Sequence, residues 1–489
     1  MTRCTRHVAF LGLVLLAGLL FQGSRIQVVE ADAYAEHPAN PRPALARWNR
    51  PRGDVVVGGR PVTGSAATGE DFAYRRTYTD GPLYAPVTGF ASHLYGTSGL
   101  EESEDAVLSG RDARLSALGP MTALTREPEP GGDVVTTLDP AVQRAAYKAL
   151  AGRKGALAAV EPSTGRVLAL VSTPSYDPSS LAGGGRRARE AWEKLSKDPS
   201  RPMLDRALSR TYPPGSAFKA VTATAALTAG AVTDLDEPTG FPEPYRLPNT
   251  TWDLENGPGV ENCEDAPLRY AFAVSCNTVL ARLAVEVGPE AMSRTAEAFG
   301  FNADPSPRIP LPVARSVFDT SVDDAQLALS SIGQYNTRAT PLQMAMVAAA
   351  IANDGLLMRP YLVDRVTDGG GRTVERTVPQ AMGRPMGPGV AGLMRELMET
   401  AVAEGSGRKA AVPGAVVGGK TGTAQHGEAN AGMPYAWFIS YARPEGAPET
   451  GAAIALAVVV EDGAADRDRI SGGGIAAPLA QKVIRAALR

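Results

Sequence analysis

Cysteine is scarce in this chain: three residues in 489, with no Cys-x-x-Cys pair. That excludes a disulfide scaffold, and with only four histidines it argues against a zinc cluster. A basic excess is missing as well. Lys+Arg is 49 and Asp+Glu is 52, so 49 − 52 leaves a net charge of −3. A nucleic-acid binder normally shows a basic stripe or surplus, so no nucleic-acid partner is expected. Lysine itself is rare, 8 residues against 41 arginines, and a lysine inside a motif therefore carries more weight. What is present is a globular composition, 44% hydrophobic and 21% charged. The length suggests about three structural units at roughly 150 residues each.

Arg3 and Arg6 precede an uncharged apolar run from Val8 to Phe21. As a helix this run spans about 21 Å, short of a hydrocarbon core of about 30 Å. Extension through Val29 reaches full length but crosses Gln22, Arg25 and Gln27. Two readings compete: a signal peptide cleaved at Ala31-Asp32-Ala33, and an uncleaved anchor with its positive end in the cytoplasm. The anchor is favoured. A buried core helix is the third reading, disfavoured by the terminal position. Under both leading readings the rest of the chain works outside the cytoplasm.

From His37 to Glu129 the chain is rich in Pro, Gly and Arg and reads as a small, extended strand-and-loop domain. Asp139-Pro140 opens a helix running to Leu150. Ala156–Val160 and Val167–Val171 flank a Pro-Ser-Thr-Gly turn and read as a hairpin. The polar stretch Leu181–Ser200 reads as an exposed loop. Helices are expected at Ser216–Ala229, Asn277–Val287, Pro341–Asn353 and Val390–Ala403, each closing near a glycine. Strands Tyr435–Tyr441 and Ala453–Val460 and a helix Ile475–Leu488 close the chain. Strands at both ends with helices between them suggest an α+β unit whose sheet pairs the first hairpin with the last strands.

Three short motifs permit chemistry. In Tyr212-Pro213-Pro214-Gly215-Ser216-Ala217-Phe218-Lys219, the turn places Ser216 at a helix start and Lys219 one turn on, on the same face. A lysine whose pKa is lowered by burial can serve as base for the serine. Alone the signal is weak; an N-cap serine with a solvated lysine gives the same pattern. A second copy, Ser406-Gly407-Arg408-Lys409, stands in a polar, glycine-flanked stretch and reads as accidental. Ser275-Cys276-Asn277 is a short loop that can present a hydroxyl and an amide to a cleft, or simply cap the next helix. In Lys420-Thr421-Gly422-Thr423, Lys420 and the hydroxyls suit a carboxylate, and Gly422 would let a ligand lie close to the strand. Backbone N–H groups of Thr423 and Ser216 would make an oxyanion hole. The competing reading is a glycine turn with a surface lysine.

The order Ser-x-x-Lys, Ser-x-Asn, Lys-Thr-Gly, with gaps of 275 − 216 = 59 and 420 − 275 = 145 residues, is the active-site set of penicillin-binding proteins and class A β-lactamases. The chain resembles a class B penicillin-binding protein of the actinobacterial penicillin-binding protein A group over nearly its whole length. The stretches Gly81–Gly89, Gly99–Glu101 with Leu108–Gly110, and Ala169–Pro178 carry the likeness beyond the motifs.

The resemblance implies a membrane anchor (residues 1–34), a non-catalytic pedestal (35–152) and a transpeptidase domain (153–489) with an antiparallel sheet between helix layers. It implies a D,D-transpeptidase without cofactor or metal that joins peptidoglycan stem peptides and is acylated by β-lactams. Ser216 would be the nucleophile and Lys219 its base, assisted by Ser275 and Asn277. Lys420, Thr421, Gly422 and Thr423 would hold the substrate. The pedestal is too short for a glycosyltransferase, so a glycan-polymerising partner and other division or elongation proteins are expected. A D,D-carboxypeptidase, a β-lactamase and a non-catalytic β-lactam sensor or scaffold are the alternatives. Cys263 and Cys276 are either a disulfide or two buried thiols. His426 reads as a strand-end surface residue, Trp437 and Phe438 as core, and Glu461 and Asp462 as solvated.

Overall fold

The N-terminal apolar run folds as one helix, α1 (Arg3–Val28), in the computed structural model, which describes residues 3–30, 33–34, 48–69, 72–115, 130–303, 309–427, 430–461 and 467–489. Ala31-Asp32, residues 35–47 and 116–129 of the proline- and glycine-rich region, and Asp462 lie outside the described residues. At 1.5 Å per residue, α1 exceeds a ~30 Å hydrocarbon core. Its segment Thr5–Val28 is long and apolar enough to cross a membrane, with side chains such as Phe10 and Leu19 exposed.

The central sheet has five strands, β1 (Gly155–Val160), β2 (Val167–Thr173), β3 (Ala415–Ala424), β4 (Tyr435–Pro444) and β5 (Ile454–Val460). Their order is β3-β4-β5-β1-β2 and every pairing is antiparallel. The first hairpin thus joins the last strands as expected, with Ala455 opposite Val160. Around the sheet run α2 (Pro140–Ala149), α3 (Lys219–Ala229), α4 (Leu268–Val274), α5 (Asn277–Ala298), α6 (Pro341–Ala352), α7 (Pro388–Ala403) and α8 (Ala477–Ala487).

Strand residues alternate between the two faces. Ala156, Ala158 and Val160 pack in one core with α3, α6 and α7 residues, whereas Leu157 and Ala159 pack in the other with Val142, Ala146, Leu479 and Val483. Both faces are covered, so β1 and β5 are apolar at nearly every position and buried throughout. Asp139 caps α2 by accepting from the amides of Ala141 and Val142, with Pro140 at the first helical position.

The pedestal is built on a second five-stranded sheet in which Asp133–Thr136 sits between Val55–Val57 and Val363–Thr367. The hairpin Val363–Thr367/Thr373–Arg376 comes from far along the chain and pairs Val366 with Val134. Conversely, α2 packs on the central sheet. The two units therefore interlock rather than divide at one point in the sequence. Arg52 and Arg76 both reach the buried Glu101 and pin the pedestal strands to its helical turns.

The stretch expected as an exposed loop holds a helix instead, Gly185–Lys197. The pairs Arg186/Glu190 and Glu193/Lys197 at i,i+4 support it. Ala188 is buried and Trp192 stacks on Tyr95 at 4.4 Å, docking the helix on the pedestal.

Candidate active site

The serine turn is held by its surroundings because two prolines leave it short of backbone donors. Tyr212 and Ala339 exchange backbone hydrogen bonds of 2.9 and 2.8 Å, and the Trp437 indole donates to the Pro213 carbonyl at 3.0 Å. Gly215 has φ +54° and a Cβ there would stand 2.7 Å from the Thr423 carbonyl oxygen, so only glycine fits. Ser216 lies in a one-turn 3₁₀ helix, Gly215–Phe218, that runs into α3, and it opens onto a cleft of about 880 Å³.

Lys219 begins α3 and is fully buried. Its Nζ donates to the Ser275 carbonyl at 2.8 Å and to Asn277 Oδ1 at 2.7 Å, and lies 3.3 Å from Ser275 Oγ. Lys420, buried on β3, donates to Ser275 Oγ at 2.8 Å and to the Thr421 carbonyl at 3.2 Å. The three motifs thus meet at the Ser275 hydroxyl. Burial, helped by the Lys420 charge, holds Lys219 well below the usual lysine range. Burial alone brings Lys420 down to about 7.

Ser275 joins α4 to α5 in a left-handed conformation, φ +77° and ψ +43°, which a non-glycine residue adopts only when its surroundings impose it. The surroundings do so: Cys276 is disulfide-bonded to Cys263, and its amide donates to the Ala271 carbonyl at 2.8 Å. A plain helix cap is not the role of this loop. Asn256, from a distant segment, accepts from the amides of Asn277 and Thr278 at 2.6 and 3.2 Å. That leaves the Ser275 and Asn277 side chains for Lys219. Nothing in the sequence around Asn256 marks it for this task.

On β3, Thr421 Oγ1 is 2.7 Å from Ser406 Oγ, and Thr423 Oγ1 accepts from the Gly472 amide at 3.3 Å. A Cβ at Gly422 would lie 2.6 Å from the Pro214 carbonyl oxygen and 3.0 Å from the Ala217 nitrogen. The close neighbour that requires this glycine is the serine turn itself, not a ligand. Ser216, Ser275, Asn277, Thr421 and Thr423 line the cleft, while Lys219, Gly422 and Lys420 stand behind its wall. Leu254, Val274, Ile332 and Tyr335 make an apolar side; Arg408, Lys409 and Arg467 make a cationic one, and no carboxylate lines it among the described residues.

The second Ser-x-x-Lys therefore belongs to the cleft after all, through the bond of Ser406 to Thr421 rather than as a nucleophile and base. His426 stacks on Tyr435 at 4.0 Å beside the strand end. Trp437 and Phe438 are core. Glu461, read as solvated, is buried, because three cations surround it.

A serine at a helix start, a buried lysine on the next turn and a second lysine on an edge strand define a serine acyl-transferase site on an antiparallel sheet between helix layers. The chain belongs to the penicillin-binding protein transpeptidases. Residues 155–485 match the penicillin binding protein transpeptidase domain, and residues 52–134 the penicillin binding protein A dimerisation domain. It is 42% identical to the peptidoglycan D,D-transpeptidase PbpA of Mycolicibacterium smegmatis, over 100% of this chain and 99% of that one. The PbpA of Mycobacterium tuberculosis is 41% identical over the same shares. Among solved structures, the ceftriaxone acyl-enzyme complex of M. tuberculosis penicillin-binding protein A superposes with a TM-score of 0.83 at 40% identity, covering 91% of this chain and 100% of that one. Its penicillin G acyl-enzyme complex gives 0.82 at 40% identity over 90% and 100%.

Proposed function

We propose that Ser216 carries the acyl group in a peptidoglycan D,D-transpeptidase reaction. The enzyme is a serine-type D-Ala-D-Ala transpeptidase that β-lactams acylate, as its family and its relatives' acyl-enzyme complexes indicate. The observation that carries the residue assignment is the convergence of Lys219 and Lys420 on Ser275 Oγ, with Asn277 Oδ1 holding Lys219, at the cleft that Ser216 also lines. Ser216 Oγ attacks the carbonyl of the penultimate D-Ala while its proton passes to neutral Lys219. The backbone N–H groups of Ser216 and Thr423 stabilise the oxyanion. D-Ala leaves with a proton, and an amine of a second stem peptide takes the acyl group and frees Ser216. Lys420, Thr421 and Thr423 bind the terminal carboxylate, in a cleft whose rim carries cations and no acid among the described residues. β-Lactams occupy the donor position and stop at the acyl-enzyme.

Helix α1 anchors the chain with Arg3 and Arg6 in the cytoplasm, which places the catalytic unit with its substrate outside. Residues 1–34 form the anchor, 35–152 the pedestal and 153–489 the transpeptidase unit, with α2 and the hairpin 363–376 each packed on the other unit's sheet. The pedestal is the docking surface for glycan-polymerising and division or elongation proteins. The test is intact mass of the detergent-solubilised chain with benzylpenicillin. A stable adduct of one penicillin, absent from Ser216→Ala, is expected. An adduct that persists in Ser216→Ala refutes the nucleophile, and rapid turnover of the adduct marks a β-lactamase. Product analysis with a stem-peptide donor and an amine acceptor separates cross-linking from carboxypeptidase release.

A further inference from the structure

Glu461 belongs to none of the three motifs, yet it stands behind the turn that carries Ser216. It follows β5 and is 7% exposed. Its Oε1 accepts from Tyr212 Oη at 2.8 Å, Arg206 Nε at 2.9 Å and Arg210 Nη1 at 3.0 Å. Its Oε2 accepts from Arg210 Nη1 at 3.0 Å and lies 3.4 Å from Lys154 Nζ. The main chain is fixed too, with the Glu461 amide donating to the Lys154 carbonyl at 2.7 Å. Arg206 is fully buried, and Arg210 lies over the Tyr212 ring at 4.9 Å. One carboxylate thus ties down three side chains of the segment that runs into the nucleophile turn.

We propose that Glu461 is a positioning residue for the nucleophile: by clamping Arg206, Arg210 and Tyr212 to the end of β5, it fixes where Ser216 stands against Thr423. The local backbone explains the need. Pro213 and Pro214 have no N–H, so Tyr212 is the last residue before Gly215 that can be held by donation. Its amide serves the Ala339 bridge and its hydroxyl serves Glu461. Stability alone is a poor reason for such a cluster, since a buried ion pair is often no better than apolar packing of the same volume. The inference rests on Ser216 as the nucleophile.

The test is single-turnover acylation of the full-length protein by a fluorescent penicillin, over concentrations that separate the acylation rate constant from the binding constant. Glu461→Gln keeps the volume and removes the charge. The acylation rate is expected to fall about tenfold to a hundredfold, the effect of a nucleophile misplaced by up to ~1 Å, with binding within about twofold. Tyr212→Phe should show a smaller fall in the same constant, and the double variant should be no slower than Glu461→Gln alone. A lower Tm with wild-type acylation rate in the folded protein overturns the proposal. If Glu461→Gln does not fold, Tyr212→Phe decides: an unchanged rate constant overturns it. Ser216→Ala beside them separates the two claims: acylation surviving there refutes the nucleophile, and the clamp with it, whereas acylation lost there with a wild-type rate in Glu461→Gln refutes the clamp alone.

Discussion

Replacing Gly422 by Ala adds one methyl group where β3 meets the serine turn. The new Cβ would stand 2.6 Å from the Pro214 carbonyl oxygen, 3.0 Å from the Ala217 nitrogen and 3.0 Å from Trp437 Cβ. Carbon and oxygen normally approach no closer than about 3.3 Å, so the turn and strand must part by about 0.7 Å. Two of the three neighbours are backbone, and Trp437 is fully buried, so no flexible side chain absorbs the shift. Overpacking of this kind costs about 1–3 kcal/mol, which the fold survives. The distance between Ser216 and Thr423 does not survive it, and a displacement near 1 Å costs roughly a hundredfold in rate. The acylation rate constant of Gly422→Ala with a fluorescent penicillin should therefore fall about tenfold to a hundredfold. Gly389→Ala, with nothing within 4 Å of its Cβ on α7, should match wild type. A Gly422→Ala enzyme within threefold of wild type would refute the packing argument.

The pH profile follows from the two lysines. Lys219 acts as base only when neutral, so acylation should decline as pH drops through its lowered pKa; Lys420, near 7, binds a carboxylate only when charged, so efficiency should decline again above about pH 7. Lys420→Arg should move that alkaline limb upward, and an unmoved limb would reject the assignment. Ser406→Ala removes the partner of Thr421 Oγ1 and should raise the half-saturating β-lactam concentration about threefold to tenfold, the net worth of one hydrogen bond, as read by competition binding. Opening the Cys263–Cys276 bond, which closes a loop of 13 residues' separation, should cost about 3 kcal/mol by loop-closure entropy. Tm of the Cys263→Ser variant measures it, with slower acylation expected because Ser275 loses a restraint.

The motifs were legible because each packs chemistry into three or four neighbouring residues. Their supports were not, because those come from residues far apart in the chain. Asn256 caps α5 from 21 residues upstream of Asn277, and Glu461 reaches Tyr212 across 249. The sheet could be anticipated from apolar runs buried on both faces. The hairpin at 363–376 could not be assigned to the pedestal, since edge pairing with Asp133–Thr136 is a non-local contact that no local pattern encodes. Leu181–Ser200 failed as a loop for a related reason: its helix is stabilised by surface ion pairs and by Ala188 and Trp192 against another part of the chain. The Ser406 repeat looked accidental because its spacing matched the wrong role.

The pocket's charges and hydrogen bonds set which lysine is the base. Two ammonium groups sharing one buried hydroxyl, with no carboxylate among their hydrogen-bond partners in the described residues, repel each other, so one gives up its proton. A neutral amine keeps two N–H groups and one lone pair. Lys219 has two close carbonyl-type acceptors, Ser275 O and Asn277 Oδ1. These use both N–H groups and leave the lone pair for a hydroxyl. Lys420 donates to Ser275 Oγ and to the Thr421 carbonyl, and as an ammonium it retains a third N–H for a substrate carboxylate. Ser275 Oγ accepts from Lys420 at 2.8 Å and lies 3.3 Å from Lys219 Nζ, within reach of the proton that Lys219 takes from Ser216 and must pass on. Reversing the roles would leave Lys420 neutral and without the charge that meets a substrate carboxylate. The proposed division, Lys219 as base and Lys420 as cation, follows from the Lys219 pKa being lowered both by burial and by the Lys420 charge.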